Sequence, residues 1–194
     1  MDASLASVFL NACLVNNFVL AYFLGICPFL GVSGRVDTAV RMGGAVTFVM
    51  LVSSICAFGL HRLLIAIGAP YLELVTFIVV IASAVQLVEM FVRKTSPALF
   101  EALGVYLPLI TTNCAILGLA LFQTSRGYDF LQSLAYAAGA GTGFTLALLL
   151  MSGIRERLAL RNVPNLAQGL AITLVVAGIL SLAFMGFAGM GAAT

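Results

Sequence analysis

Cys27-Pro-Phe-Leu-Gly31 and Cys114-Ala-Ile-Leu-Gly118 repeat one pattern, C-x-x-L-G, inside two long apolar stretches that polar and helix-breaking residues interrupt. Matched thiols in such a setting point to a buried metal centre, and the setting itself decides the fold. The chain has 194 residues, 62% hydrophobic and 8% charged, with a mean hydropathy of +1.17. Soluble domains carry about a quarter charged residues. The sequence is therefore that of an all-α polytopic membrane protein.

Charges divide it into segments: 3–34, 42–60, 74–88, 102–125, 130–154 and 162–194 contain no Asp, Glu, Lys or Arg. A span takes about 20 apolar residues. Six transmembrane helices are expected, over 5–26, 39–60, 72–92, 98–122, 130–152 and 168–190, in a single integral membrane domain covering 1–194. Asp2 and the lack of a basic residue before the first apolar run argue against a cleaved signal peptide, so the first helix is expected to remain.

Orientation follows from Lys and Arg. Arg35, Arg41, Arg93, Lys94, Arg155, Arg157 and Arg161 fall in the odd-numbered loops, against Arg62 and Arg126 on the other side. That asymmetry places the odd loops in the cytoplasm and both termini outside. The net charge of +2 is thus an orientation signal, and no basic patch interleaved with aromatics points to nucleic acid.

Sliding the second half back by 87 residues aligns Cys114 with Cys27 and Gly118 with Gly31 and lays the fifth helix on the second. Three helices separate the copies, so the second must enter the membrane from the opposite side. The expected fold is two inverted three-helix repeats, about 1–92 and 93–194, whose pseudo-two-fold axis brings the Cys motifs together.

Helices 1 and 4 should be broken. Asn16 and Asn17 lie in the first apolar run, followed by Gly25-Ile26-Cys27-Pro28, where proline cannot donate to a helical ladder. The fourth holds Pro108 and then Thr111-Thr112-Asn113-Cys114. Irregular backbone at membrane depth is tolerated only where protein or a cavity satisfies it. If helix 4 starts near Pro97, capped by Thr95 or Ser96, Cys114 lies roughly 25 Å along it, whereas Cys27 overruns the bilayer unless helix 1 is broken.

On the residues alone three readings of the thiols stay open. A disulfide is disfavoured in the cytoplasm and hard to form in hydrocarbon. Inert packing is common for free Cys. The third is a pair of iron-sulfur ligands, which requires two more thiolates from a partner, because a 2Fe-2S cluster usually takes four. Cys13 and Cys56 align with Phe100 and Gly143 and read as packing residues.

Leu14-Val-Asn-Asn-Phe-Val-Leu20, the stretch Phe23 to Ser33 around the first motif, Val92-Arg-Lys-Thr-Ser-Pro97, the stretch Leu107 to Gly118, Ile154-Arg-Glu-Arg-Leu158 and Leu182-Ala-Phe-Met-Gly-Phe187 together resemble the NqrD/RnfA family. This family supplies membrane subunits to the Rnf electron-transport complex and the sodium-pumping NADH:quinone oxidoreductase, and the match is to its RnfA (RsxA) branch, homologous to RnfE, NqrD and NqrE. The resemblance implies a bacterial inner-membrane subunit that pairs with an RnfE-like homologue beside RnfB, RnfC, RnfD and RnfG. It implies that Cys27 and Cys114 help hold a 2Fe-2S cluster shared by the pair, in a complex coupling ferredoxin/NAD electron transfer to Na⁺ or H⁺ movement. It also implies that flavin and NAD sites belong to other subunits. No G-x-G-x-x-G fingerprint contradicts this. This chain alone is expected to have no catalytic activity, only a part in a redox-driven translocase.

Around the thiols, Thr111, Thr112, Asn113 and Gly25 are the candidates for offsetting charge on sulfur. The opposing reading is that Thr hydroxyls bond their own helix and Asn113 glues helices. Glu89, an acid inside a span, is expected to pair with Arg93 at i+4. His61 sits at the outer interface beside Arg62, and the Arg155–Glu156–Arg157 cluster reads as an orientation-setting loop. Asn16 and Asn17 suit interhelical bonding or an ion path, and the Gly-Ala run 137–143 suits close packing. An inverted-repeat ion transporter or a scaffold subunit without its own cofactor is the alternative function.

Overall fold

The computed structural model describes residues 4–68, 70–95, 107–160 and 169–191. Among these, eight α-helices follow in chain order: α1 (Leu5–Leu10), α2 (Ile26–Val32), α3 (Val36–Ile67), α4 (Glu73–Thr95), α5 (Leu107–Thr111), α6 (Cys114–Ser125), α7 (Phe130–Ala159) and α8 (Leu170–Gly191). A π-helical turn, Asn11–Val15, prolongs α1, and the described residues contain no strand.

α3 and α7 form the central antiparallel pair. The Val36 N–H at the start of α3 donates to Glu156 Oε1 near the end of α7, at 2.9 Å. At the other end the Phe58 and Phe130 rings meet edge to face at 5.5 Å. Where the two helices cross, small residues let them close up. A Cβ on Gly43 would lie 2.5 Å from Thr145 Cγ2, and one on Gly141 would lie 2.6 Å from Thr47 Cγ2. Each threonine hydroxyl turns back onto its own helix, Thr47 to the Gly43 carbonyl and Thr145 to that of Gly141. Both hydroxyls are thereby satisfied within their own helices.

This reciprocal contact relates residues 98 apart in sequence, whereas the Cys motifs repeat at 87. No single shift superposes the halves, because α6 has 12 residues and α2 only 7. The expected overlay of the fifth helix on the second is displaced accordingly.

Four helices are long and apolar enough to cross a membrane: Val36–Ile67, Glu73–Met90, Phe130–Ala159 and Leu170–Phe187. The expectation of six such spans is not met among the described residues. The apolar stretches Leu5–Val15 and Leu109–Ser125 are shorter. The first expected span, 5–26, stops at Val15 and resumes as helix only at Ile26. The fourth is seen as α5 and α6, separated at Thr112 and Asn113, and its expected start and Thr95–Ser96 cap lie outside the described residues and side chains. α3 and α7 run past their expected ends. Nothing breaks α3 before Gly68, whose φ of 76° terminates it, and Arg155 to Leu158 are good helix formers.

Asn17 sets the break in the first segment. Its amide Nδ2 donates to the carbonyls of Cys13 and Gly143 at 3.1 and 2.8 Å, and its Oδ1 accepts from the Val19 and Leu20 N–H groups at 3.0 and 3.2 Å. One fully buried side chain thus satisfies one acceptor and two donors that a continuous first helix would have paired internally, and its bond to the Gly143 carbonyl ties the break to α7. Ser181 of α8 donates to the Leu20 carbonyl at 2.6 Å and serves the same irregular stretch. Asn17→Leu is expected to cost about 1–3 kcal/mol for each group left unpaired, read as a lowered unfolding midpoint in detergent. An unchanged midpoint would show that water or lipid headgroups reach the segment.

Gly139 and Gly143 seat this segment on α7. A Cβ at Gly139 would lie 2.5 Å from the Phe9 carbonyl oxygen, and one at Gly143 would lie 2.6 Å from that of Cys13. Cys13 therefore packs backbone to backbone against α7, in keeping with a packing role, and Ala137 to Gly143 is the close-approach stripe its composition indicated.

Candidate functional site

Two half-helices start at one junction and leave it in opposite directions. α2 runs toward the end of α7, where Arg155 Nη1 donates to the Leu30 carbonyl and to Ser33 Oγ, both at 2.9 Å. α6 runs toward the start of α7, where Gln123 is hydrogen bonded to Ser54 beside the Ser133 carbonyl. Cys27 is the second residue of α2 and Cys114 the first of α6, so both thiols lie at the junction.

Local sequence dictates each start. Gly25 adopts φ 77° ahead of α2, a left-handed conformation that glycine takes without strain. Pro28 sits in the first turn of α2, where its missing N–H is one of those a helix leaves unpaired. It belongs to the start of a helix, and the break lies upstream, over residues 16–25. Asn113 caps α6, its Oδ1 accepting from the Ala115 N–H at 3.0 Å. Phe23 also holds a positive φ, 56°, which is costly for a bulky residue and concentrates strain at this junction.

One bond joins the motifs: the Gly25 N–H donates to Cys114 Sγ at 2.9 Å. The approach depends on glycine, since a Cβ there would lie 2.6 Å from Phe144 Cε2, 3.1 Å from Asn113 Oδ1 and 3.4 Å from the Ala115 Cβ. Of the motif glycines, Gly118 makes room in turn. A Cβ at Gly118 would lie 2.7 Å from Leu24 Cδ1, and one at Gly31 would lie 3.9 Å from Leu109 Cδ1, so each glycine faces a leucine just ahead of the other motif. Close packing calls for glycine only in the second motif, at Gly118, whereas a Cβ at Gly31 would make an ordinary contact.

All four cysteines are free, with Cys27 and Cys114 exposed and Cys13 and Cys56 half-buried. The two motif thiols therefore open onto a surface of this chain, and are not sealed within its core. Asn113 is 5% exposed, yet its Nδ2 has no hydrogen-bond partner, which leaves a buried N–H donor next to Cys114. Thr112 is exposed, and Thr111 is half-buried with its Oγ1 donating to Glu89 Oε2 at 3.4 Å. Glu89 thus leans toward the second motif, while its expected partner Arg93 has a side chain outside the described residues. Among the described residues, no group of three or more His, Cys, Asp or Glu could hold a metal ion.

The remaining sequence candidates are placed elsewhere. His61 Nδ1 lies 3.0 Å from Glu73 Oε1 and ties α3 to α4. Asn16 bonds to Asn11 and accepts from the Tyr22 hydroxyl, away from the junction. Arg155 and Glu156, read as loop charges, are caps: one holds the end of α2 and the other the start of α3. Phe144 and Leu24, which wall the junction, carried no distinguishing sequence signal; Gly31 and Gly118 were visible only as pattern letters.

Residues 5–191 match the family described as "Rnf-Nqr subunit, membrane protein". The chain is 56% identical over 188 residues to the A-type subunit of the ion-translocating oxidoreductase complex of Syntrophotalea carbinolica, covering 96% of this chain and 97% of that one. It is 54% identical over 184 residues to the protein of the same name from Escherichia fergusonii, covering 94% and 95%. It is 51% identical over 188 residues to the A-type subunit of the Na(+)-translocating ferredoxin:NAD(+) oxidoreductase complex of Acetobacterium woodii, covering 96% and 98%. With its apolar helices and a match from end to end, the chain belongs to the Rnf-Nqr family of membrane subunits.

Proposed function

We propose that this chain is the A-type subunit of an ion-translocating oxidoreductase, and that it carries electrons through the bilayer at a 2Fe-2S cluster shared with a homologous subunit. The observation that carries the reading is the junction itself: two free, exposed thiols at adjoining helix starts, joined by the Gly25 N–H to Cys114 Sγ bond. The donor set fits half of such a site. Cys27 and Cys114 supply two thiolates, and an RnfE-like partner facing them supplies the other two. The unpartnered Asn113 Nδ2 and the Gly25 N–H are the donors that offset negative charge on sulfur. When bound, the cluster supplies a one-electron stop within about 30 Å of hydrocarbon.

This chain's own residues hold that site open on one side and rigid on the other. Gly25, Asn113 and Ala115 fix the junction, Phe144 closes it from α7, and Arg155 anchors the far end of α2. The two halves are inverted repeats in the bacterial inner membrane with both termini outside, following the arginine asymmetry. RnfB, RnfC, RnfD and RnfG counterparts complete the complex, which couples ferredoxin/NAD electron transfer to Na⁺ or H⁺ movement.

Metal analysis of the chain with and without its homologue tests the shared site. The pair is expected to hold about two irons, and the chain expressed alone to hold little unless it self-pairs. Full iron occupancy in the lone monomer would defeat the shared-site reading.

A further inference from the structure

α4 and α8 are the two spans that the rest of the chain covers least, yet their open faces differ in chemistry. α8 suits lipid. From Leu170 to Phe187 its exposed positions carry apolar side chains or glycine, and its two hydroxyls are buried and paired, Thr173 to the Gly169 carbonyl at 2.8 Å and Ser181 to that of Leu20 at 2.6 Å. α4 instead exposes Gln86. This residue lies about 20 Å along the helix from Glu73 and about 13 Å from Thr95, deep within a hydrocarbon core of about 30 Å.

An exposed hydroxyl inside a span can bond back to its own helix, as Ser83 does to the Val79 carbonyl at 2.8 Å and Thr142 to that of Ala138 at 3.0 Å. A glutamine amide has two N–H donors and a carbonyl acceptor to satisfy, and Gln86 makes no hydrogen bond to any described residue. Facing lipid, that amide would be stripped of water with nothing to pair with. Its stem of two methylenes is too short to carry it to either interface. The open face of α4 is therefore one that hydrocarbon cannot satisfy and that polar groups of another subunit can.

Continuity with the Cys junction identifies the subunit. Gln86 and Glu89 stand three residues apart and share a stripe of α4. Glu89 Oε2 accepts from Thr111 Oγ1 at 3.4 Å, and Thr111 is followed by Thr112 and, past Asn113, by Cys114, both exposed. The strip Gln86, Glu89, Thr112, Cys114 thus runs from the middle of α4 to the opening where the homologue's thiolates enter. We infer that the face of α4 carrying Ser83 and Gln86 docks the homologous subunit, with the Gln86 amide hydrogen bonded to a polar group of that subunit. The inference rests on the shared-cluster reading for the identity of the partner, and it adds a second contact on a helix that carries neither thiol.

The test uses the intact complex in its native membrane, with the photoreactive residue p-benzoylphenylalanine placed in turn at positions 86, 83 and 182. Position 83 reports the same face should the bulk at 86 disturb the pair, and Leu182 is an exposed residue of the apolar face of α8. Illumination should shift the chain by the mass of the homologous subunit from 86 and from 83, with peptides of that subunit identified in the adduct, and should give no such shift from 182. Failure to capture the homologue from both 86 and 83 would overturn the docking face, whether the chain is then joined to lipid, to a different subunit or to nothing. Equal capture from 182 would overturn it as well, by showing that contact does not follow the polar face. Iron measured on the same preparations separates the two readings: iron without an adduct removes the docking face and keeps the cluster, whereas an adduct without iron keeps the face and removes the cluster.

Discussion

Serine at Cys27 or at Cys114 is expected to empty the shared site, taking the purified pair from about two irons to essentially none, while serine at Cys13 or Cys56 leaves the iron in place. The reason is positional. Cys27 and Cys114 are exposed at the start of α2 and of α6, where a partner's thiolates can reach them. Cys13 is packed along Gly143 with its carbonyl taken by Asn17, and Cys56 lies on α3. An oxygen ligand is harder and binds iron-sulfur iron more weakly, so even a folded serine variant loses the metal. Equal loss from all four substitutions would mean that the assembly misfolds and that the thiols have no distinct role.

The second large effect is expected from Gly25→Ala, which adds one methyl group. Left-handed backbone at 77° is strained for alanine, at about 1–3 kcal/mol, and the new Cβ would come within 2.6 Å of Phe144 Cε2 and 3.1 Å of Asn113 Oδ1. Either way the N–H is driven off Cys114 Sγ. The pair should unfold at lower temperature, and where it still assembles its reduction potential should fall, because a donor to sulfur favours the reduced, more negative state. Trimming the neighbour in Gly25→Ala with Phe144→Leu should recover part of the stability and none of the potential. A potential unmoved by Gly25→Ala would show that this N–H does not act on the sulfur.

Much of this was readable from residues, and the gaps have physical causes. The alternation of charge-free stretches with arginines marks α3, α4, α7 and α8, since burial in hydrocarbon leaves no freedom in composition. The C-x-x-L-G pair marks the junction, because each copy falls at the start of a half-helix. The exact manner of breaking was not legible. Pro28 looks like a helix breaker but serves as a helix start, and the true break depends on Asn17 reaching Gly143, 126 positions away. Nor does local sequence reveal that Arg155 and Glu156 cap α2 and α3, since those contacts span 120 residues or more. Glu89 shows what spacing leaves out: the bond it accepts from Thr111 crosses between helices 22 residues apart.

The most direct measurement is low-temperature electron paramagnetic resonance of the dithionite-reduced chain, co-purified with its homologous partner and without the other redox subunits. A 2Fe-2S signal that disappears in Cys27→Ser and persists in Cys56→Ser is the predicted result. A folded pair that shows no such signal and contains no iron would contradict the account, leaving Cys27 and Cys114 as packing residues of a transporter or scaffold subunit.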